Sequence, residues 1–378
     1  MKKIFLFVML VGAADCFAAQ TLFGDIIQQD FPSDSYLVGA ADAWHSVLGT
    51  GGEGAAVYAD LNKQSFQNKA LFSNMIANIA YNQSDLTQYQ VRQNVSVANA
   101  NVLAPLEGRK GRVGDIDISV VPMGWYAEYE KGKNSDFKTR NMGVRVDASG
   151  FITDGFALGM SYARINTNTR RTAIYSDATS DIITLFSKYL SESGLFFNLG
   201  IDGGQINWTD DKAIAGIKNS SAFDTDFLAG QINTGVQLNR GRFYLVPQIG
   251  TKYIRLKSDK HIDAAAQEFE KWWYNTLTGV FDVSIGFDVF AQGFLFRPIM
   301  KMGIEYDFLT NGTDNISVRV LGGNMYYVPI NTPHRMAFVG GLGISMNAQW
   351  FVGQIMYELD LRSNYISHTG KINLKMGF

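Results

Sequence analysis

The chain has 378 residues, 33 of them Lys or Arg and 35 Asp or Glu, for a formal net charge of −2, a balance that gives no reason to expect nucleic acid as a partner. Its one cysteine is Cys16, so disulfide bridges within the chain are excluded. Beyond the N-terminus no run of about 18 apolar residues appears, which excludes membrane-spanning helices but not a barrel, whose strands hide their apolar face by alternation.

In chain order, the opening "MKKIFLFVMLVGAADCFAAQ" sets Lys2 and Lys3 before an apolar run from Ile4 to Val11, followed by small residues around Cys16 and Ala18. This is the pattern of a secretory signal peptide over 1–18, cleaved near Ala18. Residues 19–56 then form a short N-terminal segment with a flexible glycine-rich joint, "GTGGEG", at 49–54. Over 57–110 the sequence loses period-two alternation and is rich in Ala, Asn and Gln. Leu71, Met75 and Ile79 recur at helical spacing, Ser84 is a candidate N-cap before "DLTQYQVRQ", and Pro105 is a stop. Helices this polar make a poor core of their own and suit a wet cavity. Arg109, Lys110 and Arg112 in "LEGRKGR" read first as a solvated linker and second as a contact for anionic lipid.

From 111 to 378 alternation dominates. In "VFDVSIGFDVF", Phe281, Val283, Ile285, Phe287 and Val289 alternate with Asp282, Ser284, Gly286 and Asp288, and the last eight residues, "KINLKMGF", alternate in the same way. Twelve such segments are predicted, near 120–131, 140–149, 155–166, 180–190, 195–208, 227–239, 243–256, 276–290, 294–308, 335–346, 350–361 and 369–378. Tight turns join them at one end, as in "SESG" and "RGR", and longer polar loops at the other, at 167–179, 209–226, 257–275 and 309–334. The fold class expected is therefore all-β: a transmembrane antiparallel barrel of about 12 strands with periplasmic turns and extracellular loops, preceded by a short helical segment. The wet faces carry Arg145, Asp147, Asp202, Lys252, Asp282, Asp288, Lys301, Glu305, Asp307, Glu358 and Asp360, expected to line a polar lumen. Trp125, Tyr129, Trp208, Trp272, Trp273, Tyr306, Tyr357 and Tyr365 lie near strand ends. They fit interfacial girdles and the ordinary aromatic content of strands equally well.

Helices before about twelve strands, an exported N-terminus and the ending "WFVGQIMYELDLRSNYISHTGKINLKMGF" together resemble the translocator β-domain of autotransporters, the type V secretion family. The resemblance covers about Val57 to Phe378. It implies a barrel in the lipid of a Gram-negative outer membrane, delivered by periplasmic chaperones and inserted by the barrel-assembly machinery. That machinery reads the C-terminal strand, making Leu374, Met376 and Phe378 the assembly signal. It also implies a helix within 83–104 threading the lumen, and an N-terminal passenger carried to the surface. Only about 35 residues separate the leader from the helical stretch, so the passenger is expected to be vestigial. The Asn-Asn pair of self-cleaving members is interrupted, since Ala100 separates Asn99 from Asn101.

Catalysis is not expected. In "TLFGDIIQQDF", Ile26 stands where the lipase passengers of this family carry a serine nucleophile. His45, His261, His334 and His368 are scattered, and no metal-ligand or cofactor motif appears. The function expected is insertion in the outer membrane and translocation or display of the chain's own N-terminal segment. The alternatives are a stand-alone channel or an adhesin that meets a surface ligand through loops 257–275 and 309–334.

Overall fold

Residues that alternate in sequence alternate in space from Ile116 onward. The computed structural model describes residues 35–47, 55–56, 84–99, 113–129, 137–170, 174–214, 217–263, 266–291, 294–330, 333–347 and 351–377. The expected signal peptide, the joint at 49–54, the helical spacing at 71–79, Pro105, the basic cluster and Phe378 lie outside them.

Helices α1 (Ser35–His45) and α2 (Ser84–Asn99) precede the strands, which are numbered in chain order. Twelve form the barrel wall: β1 (Ile116–Tyr129), β2 (Phe137–Thr153), β3 (Phe156–Arg170), β4 (Ile174–Leu190), β5 (Leu195–Ile214), β6 (Ile217–Val236), β8 (Phe243–Ser258), β11 (Trp272–Phe287), β13 (Phe294–Gly312), β16 (Met336–Asn347), β17 (Phe351–Arg362) and β18 (Tyr365–Gly377). Short β7 (Leu238–Arg240) and β12 (Val289–Ala291) pair with β8 and β13 at the turn end. Each wall strand runs antiparallel to its neighbours, and the ring closes where β18 pairs β1, from Asp117 opposite Gly377 to Tyr129 opposite Tyr365. Closure leaves no unpaired edge, which a lipid-embedded sheet requires.

All twelve predicted strands are present. At the turn end, Gly155 (φ 80°) and Gly194 (φ 84°) supply the left-handed residue of tight connections. Beside the first, the register shifts between Phe151 and Thr153, a bulge that absorbs the extra residue. The loop end departs from expectation. Loops 167–179 and 209–226 are largely strand, because β3 to β6 run on past the apolar zone to Arg170, Ile174, Ile214 and Ile217. There the outward side chains are polar, as in the Asn168–Asp177 and Thr179–Asn166 hydrogen bonds, 2.7 and 3.2 Å, so the alternation that marked the lower strands disappears from the sequence. The last outer connection is a tight turn at Ser363 and Asn364.

The outward face is apolar around the ring, with Ile118, Met160, Leu185, Ile201, Ile249, Met302, Leu342 and Leu374 all exposed. Leu342, midway along β16, is 61% exposed. An arginine there meets hydrocarbon, so Leu342→Arg is expected to lower stability by about 2–4 kcal/mol, read by urea titration of the refolded protein in lipid vesicles. Ser345→Arg, on the inward face of the same strand, tests whether lipid exposure rather than charge itself is responsible: an equal loss would count against the assigned faces.

The two longest connections fold into a second sheet. Strands β9 (His261–Ile262) and β10 (Gln267–Phe269) lie between β8 and β11, and β14 (Asn315–Val320) and β15 (Met325–Pro329) between β13 and β16. They pair antiparallel in the order β15-β14-β10-β9 and form a cap. One cap face is apolar and buried, with Ile316, Val318, Val320, Tyr326, Val328 and Phe269 all at most 4% exposed. A stack of rings ties the cap to the wall: Trp208 on β5, Phe223 on β6, His261 and Phe269 follow one another at 5.8, 4.3 and 5.1 Å between centroids. Burial and nearby Asp263 push the Tyr326 phenol well above its usual range, so its hydroxyl stays protonated and donates to Gln267 Oε1. At the cap surface, hydrogen bonds to Glu268 and Glu270 hold the Lys260 proton more tightly than usual.

Candidate functional site: the threaded lumen

From Leu86 to Val95, every residue of α2 except the partly buried Arg92 is buried, on all sides of the helix. A surface helix buries one stripe; burial all round a helix that carries Thr87, Gln88, Gln90, Gln93 and Asn94 requires a polar enclosure. The barrel wall supplies it. Gln90 Nε2 donates to Asn141 Oδ1 on β2 (2.7 Å) and Thr167 Oγ1 on β3 (2.9 Å). Asn94 Nδ2 donates to Ser180 Oγ on β4 (2.8 Å), and Gln93 Nε2 to Asp360 Oδ2 on β17 (3.2 Å). The Tyr89 ring stacks on Tyr365 of β18 at 4.4 Å and leans on Tyr129 of β1 at 5.0 Å. Partners on strands right round the ring place α2 inside the barrel, and they identify the buried set of wall residues as the inner face.

Arg92 is the strongest tie. Its Nη1 donates to Asp307 Oδ1 at 3.1 Å and its Nη2 lies 2.9 Å from Asp307 Oδ2, a two-pronged pairing with β13. Nη2 also donates to Tyr274 Oη and Thr276 Oγ1 on β11, at 3.0 and 3.1 Å. Asp307 is shared: Thr278 Oγ1 donates to it at 2.6 Å and Arg362 Nη1 stands 3.6 Å away. Arg362 in turn pairs with Glu305 (3.1 Å), which Lys252 meets at 2.5 Å. Three cations and two carboxylates thus form one chain of contacts from helix to wall, and Asp360, 3.9 Å from Arg362 Nε, adds a third carboxylate.

The lumen changes character along its length. Toward the loops its inner face is apolar, with Trp125, Tyr129, Phe137, Ile165, Trp208, Phe223 and Trp272 forming one cluster with Leu86, Val91 and Val95 of α2 and with α1. Of the aromatics left open between girdle and strand, Trp125, Tyr129, Trp208, Trp272 and Tyr365 point inward, and Trp273, Tyr306 and Tyr357 outward. Toward the turns the inner face is charged. Arg145 Nε lies 2.7 Å from Asp147 Oδ1, Lys375 Nζ 2.6 Å from Asp117, and Lys371 pairs Glu358.

The residues expected in the lumen fall as follows. Arg145, Asp202, Lys252, Asp282 and Glu305 are buried on inward positions, and Lys301 and Glu358 are partly buried among them. Asp202 accepts from Thr184 Oγ1 (2.6 Å), and Asp282 from Gln248 Nε2 (2.7 and 2.8 Å) with Lys301 3.8 Å away. Asp288 sits at the turn end, where Arg297 Nε donates to it at 2.5 Å and the guanidinium carbon of Arg297 lies 4.1 Å from the centre of the Tyr244 ring. Leu374 and Met376 face outward beside Val120 and Ile118. The histidines do not converge: His261 is inside the ring stack, His334 is exposed near Met336, and His368 contacts Tyr357 Oη at 2.6 Å on the outer face. Among the described residues no group of three His, Cys, Asp or Glu could hold a metal. Sequence reasoning missed Arg92, Arg362 and the amides of α2. For the α2 side chains a signal of enclosure was there: "YQVRQN" presents hydrogen-bonding side chains to every direction around a helix, which no soluble amphipathic helix does; for Arg362 on β17 there was none.

Comparison with known proteins agrees with this architecture. The family model described as "Autotransporter beta-domain" matches residues 123–352. The chain is 22% identical to "Outer membrane protein A" of Rickettsia rickettsii over 323 residues, and 21% identical to the protein of that name from Rickettsia conorii over 322. Each alignment covers 76% of this chain but only 14% and 16% of those proteins, so the chain spans about a seventh of their length. In structure it is similar to the translocator domain of autotransporter NalP from Neisseria meningitidis, with a TM-score of 0.63 at 14% identity over 78% of this chain and 97% of that one. It is also similar to the transport unit of the Escherichia coli autotransporter AIDA-I, with a TM-score of 0.53 at 14% identity over 76% and 97%. The NalP and AIDA-I domains are matched nearly end to end, and the family model spans more than half of the present sequence. This chain belongs to the autotransporter β-domain family, and is an outer-membrane barrel of the secretion type.

Proposed function

We propose that this barrel carries its own N-terminal segment across the outer membrane and holds it at the cell surface, without chemical catalysis. One observation supports this above the rest: α2 is held inside the barrel by hydrogen bonds to strands around the ring, so the chain N-terminal to it reaches the barrel wall only by way of the lumen. In this reading residues 1–18 are the exported leader, 19–56 the carried segment, 57–110 the threaded linker and 111–378 the barrel. Arg145, Asp202, Lys252, Asp282, Asp288, Lys301, Glu305 and Glu358 act together as a wet, charge-paired lining along which a polar segment slides without losing hydrogen-bond partners. The barrel-assembly machinery and periplasmic chaperones are the partners, with Leu374, Met376 and Phe378 as the signal they read.

An epitope inserted between Ala19 and Ser35 is expected to bind antibody on intact cells; labelling only after the outer membrane is permeabilised would overturn the proposal. Deleting residues 374–378 is expected to cut the heat-modifiable barrel in the outer-membrane fraction severalfold, while Leu374→Ile, which keeps an apolar side chain on the lipid face, leaves it unchanged.

A further inference from the structure

Helix α1 has an unusual position for the carried end of such a chain: it is docked. Its Gly39 lies against Tyr326 of the cap, where an added Cβ would come within 3.7 Å of the Tyr326 Cβ. Trp44 is 1% exposed, and Ala40, Ala43 and Val47 are buried with it. The turn after α1 is hydrogen-bonded to the turn between β14 and β15: Ser46 Oγ donates to Ala43 O and accepts from the Asn324 amide, each at 2.6 Å. Gly323 in that turn is closed in, since a Cβ there would fall 2.6–2.8 Å from Val47 Cγ1, Ser46 Oγ and Ala43 O. The side chains of α1, of the buried cap face and of Leu86 and Tyr89 in α2 form a single apolar cluster.

We propose that the cap sheet is an intramolecular docking site whose occupant is α1, and that this docking is a latch: it fastens the carried segment outside the barrel mouth and prevents it from slipping back. The physical argument is directional. On the periplasmic side the folded cap face is not there to receive Trp44 and the alanines of α1. Outside, it meets the apolar face of a sheet that exists only once the β8–β11 and β13–β16 connections have emerged and paired. Removing that apolar surface from water favours the exported position over the threaded one. Without α1 the part of the cap face around Tyr326 is open to solvent, so each partner stabilises the other. The latch rests on the display reading above and adds to it a fixed, non-covalent place where the segment stops.

The test uses the full chain on intact cells, with an epitope between Ala19 and Ser35 and a specific protease site in place of residues 49–54. Antibody labelling is scored first, then the epitope left on the cells after cutting. Two variants are compared, Trp44→Asp and Gly323→Leu, with heat-modifiable migration confirming that each barrel has folded. Expected is a cut fragment that stays on cells carrying the parent chain and leaves both variants, with retention falling about a hundredfold, as the loss of a buried Trp contact predicts. A fragment that leaves the parent chain on cutting overturns the latch, and so does one that stays on all three. An epitope never labelled on intact cells overturns the display reading, and the latch falls with it. Labelling followed by release removes the latch and leaves display standing.

Discussion

Refolded into a planar bilayer, the chain starting at Gly111 is expected to carry a large, steady ionic current, while the full-length chain stays nearly silent. The expectation follows from what α2 displaces. A helix with its side chains is about 10–12 Å across, and this one has Leu86 to Val91 and Gln93 to Val95 in buried contact with the wall and the cap. Without it, Asn141, Thr167, Ser180 and Asp307 each lose a hydrogen bond from the helix, and such groups recover it only by taking up water. The lower lumen is already charged and the upper becomes wet, so a continuous aqueous path results. Cation preference is a second readout, because removing Arg92 leaves Asp307, Glu305 and Asp360 facing Arg362 and Lys252. If the two forms conduct alike, α2 does not fill the lumen and a stand-alone channel takes the place of the secretion reading.

Alternation decided what the sequence could reveal. Within the lipid zone one face must be apolar and the other is free to be polar, so Phe281 to Val289 and Leu374 to Met376 show their period of two plainly, and all twelve strands could be read. Above that zone the outward face is polar as well. Asn168 and Asp177 are strand residues that look like loop, so 167–179 reads as a connection in the sequence. The cap was hidden for a different reason. Strands such as Met325–Pro329 are too short to establish a period, and their partners lie across long sequence separations, as where Phe269 faces Val318. The inner face misled in one respect. A lumen was expected to be polar throughout, but its outer half is apolar because α1, α2 and the cap fill it, and Trp125 and Tyr129 belong to that filling. Helix α2 was legible from Ser84 and from its polarity, and its enclosure followed from that polarity. Arg92 was not singled out, because nothing in the sequence says which carboxylate, some two hundred residues away, it will meet.

That meeting gives the second large effect. Asp307→Asn is expected to destabilise the folded barrel by about 3–5 kcal/mol, because breaking a buried pair strands the charge that remains. Asp307 is fully buried and serves two guanidinium groups, Arg92 at 2.9 Å and Arg362 at 3.6 Å. With it neutralised, Lys252, Arg362 and Arg92 are left with Glu305 and Asp360 alone. Arg92→Leu removes the other end and costs less, since Arg362 and Thr278 still serve Asp307. Its larger effect is on the plug, which loses its bonds to β11 and β13 together and should flicker open in single-channel records. Combining Arg92→Leu with Asp307→Asn removes one charge of each sign, so the double variant is expected to be more stable than Asp307→Asn alone. Urea titration of all three in lipid vesicles decides the matter. Simple additivity of the two losses would mean that Arg92 and Asp307 do not act on each other, and that the helix is held in the lumen by its amides and aromatic rings instead.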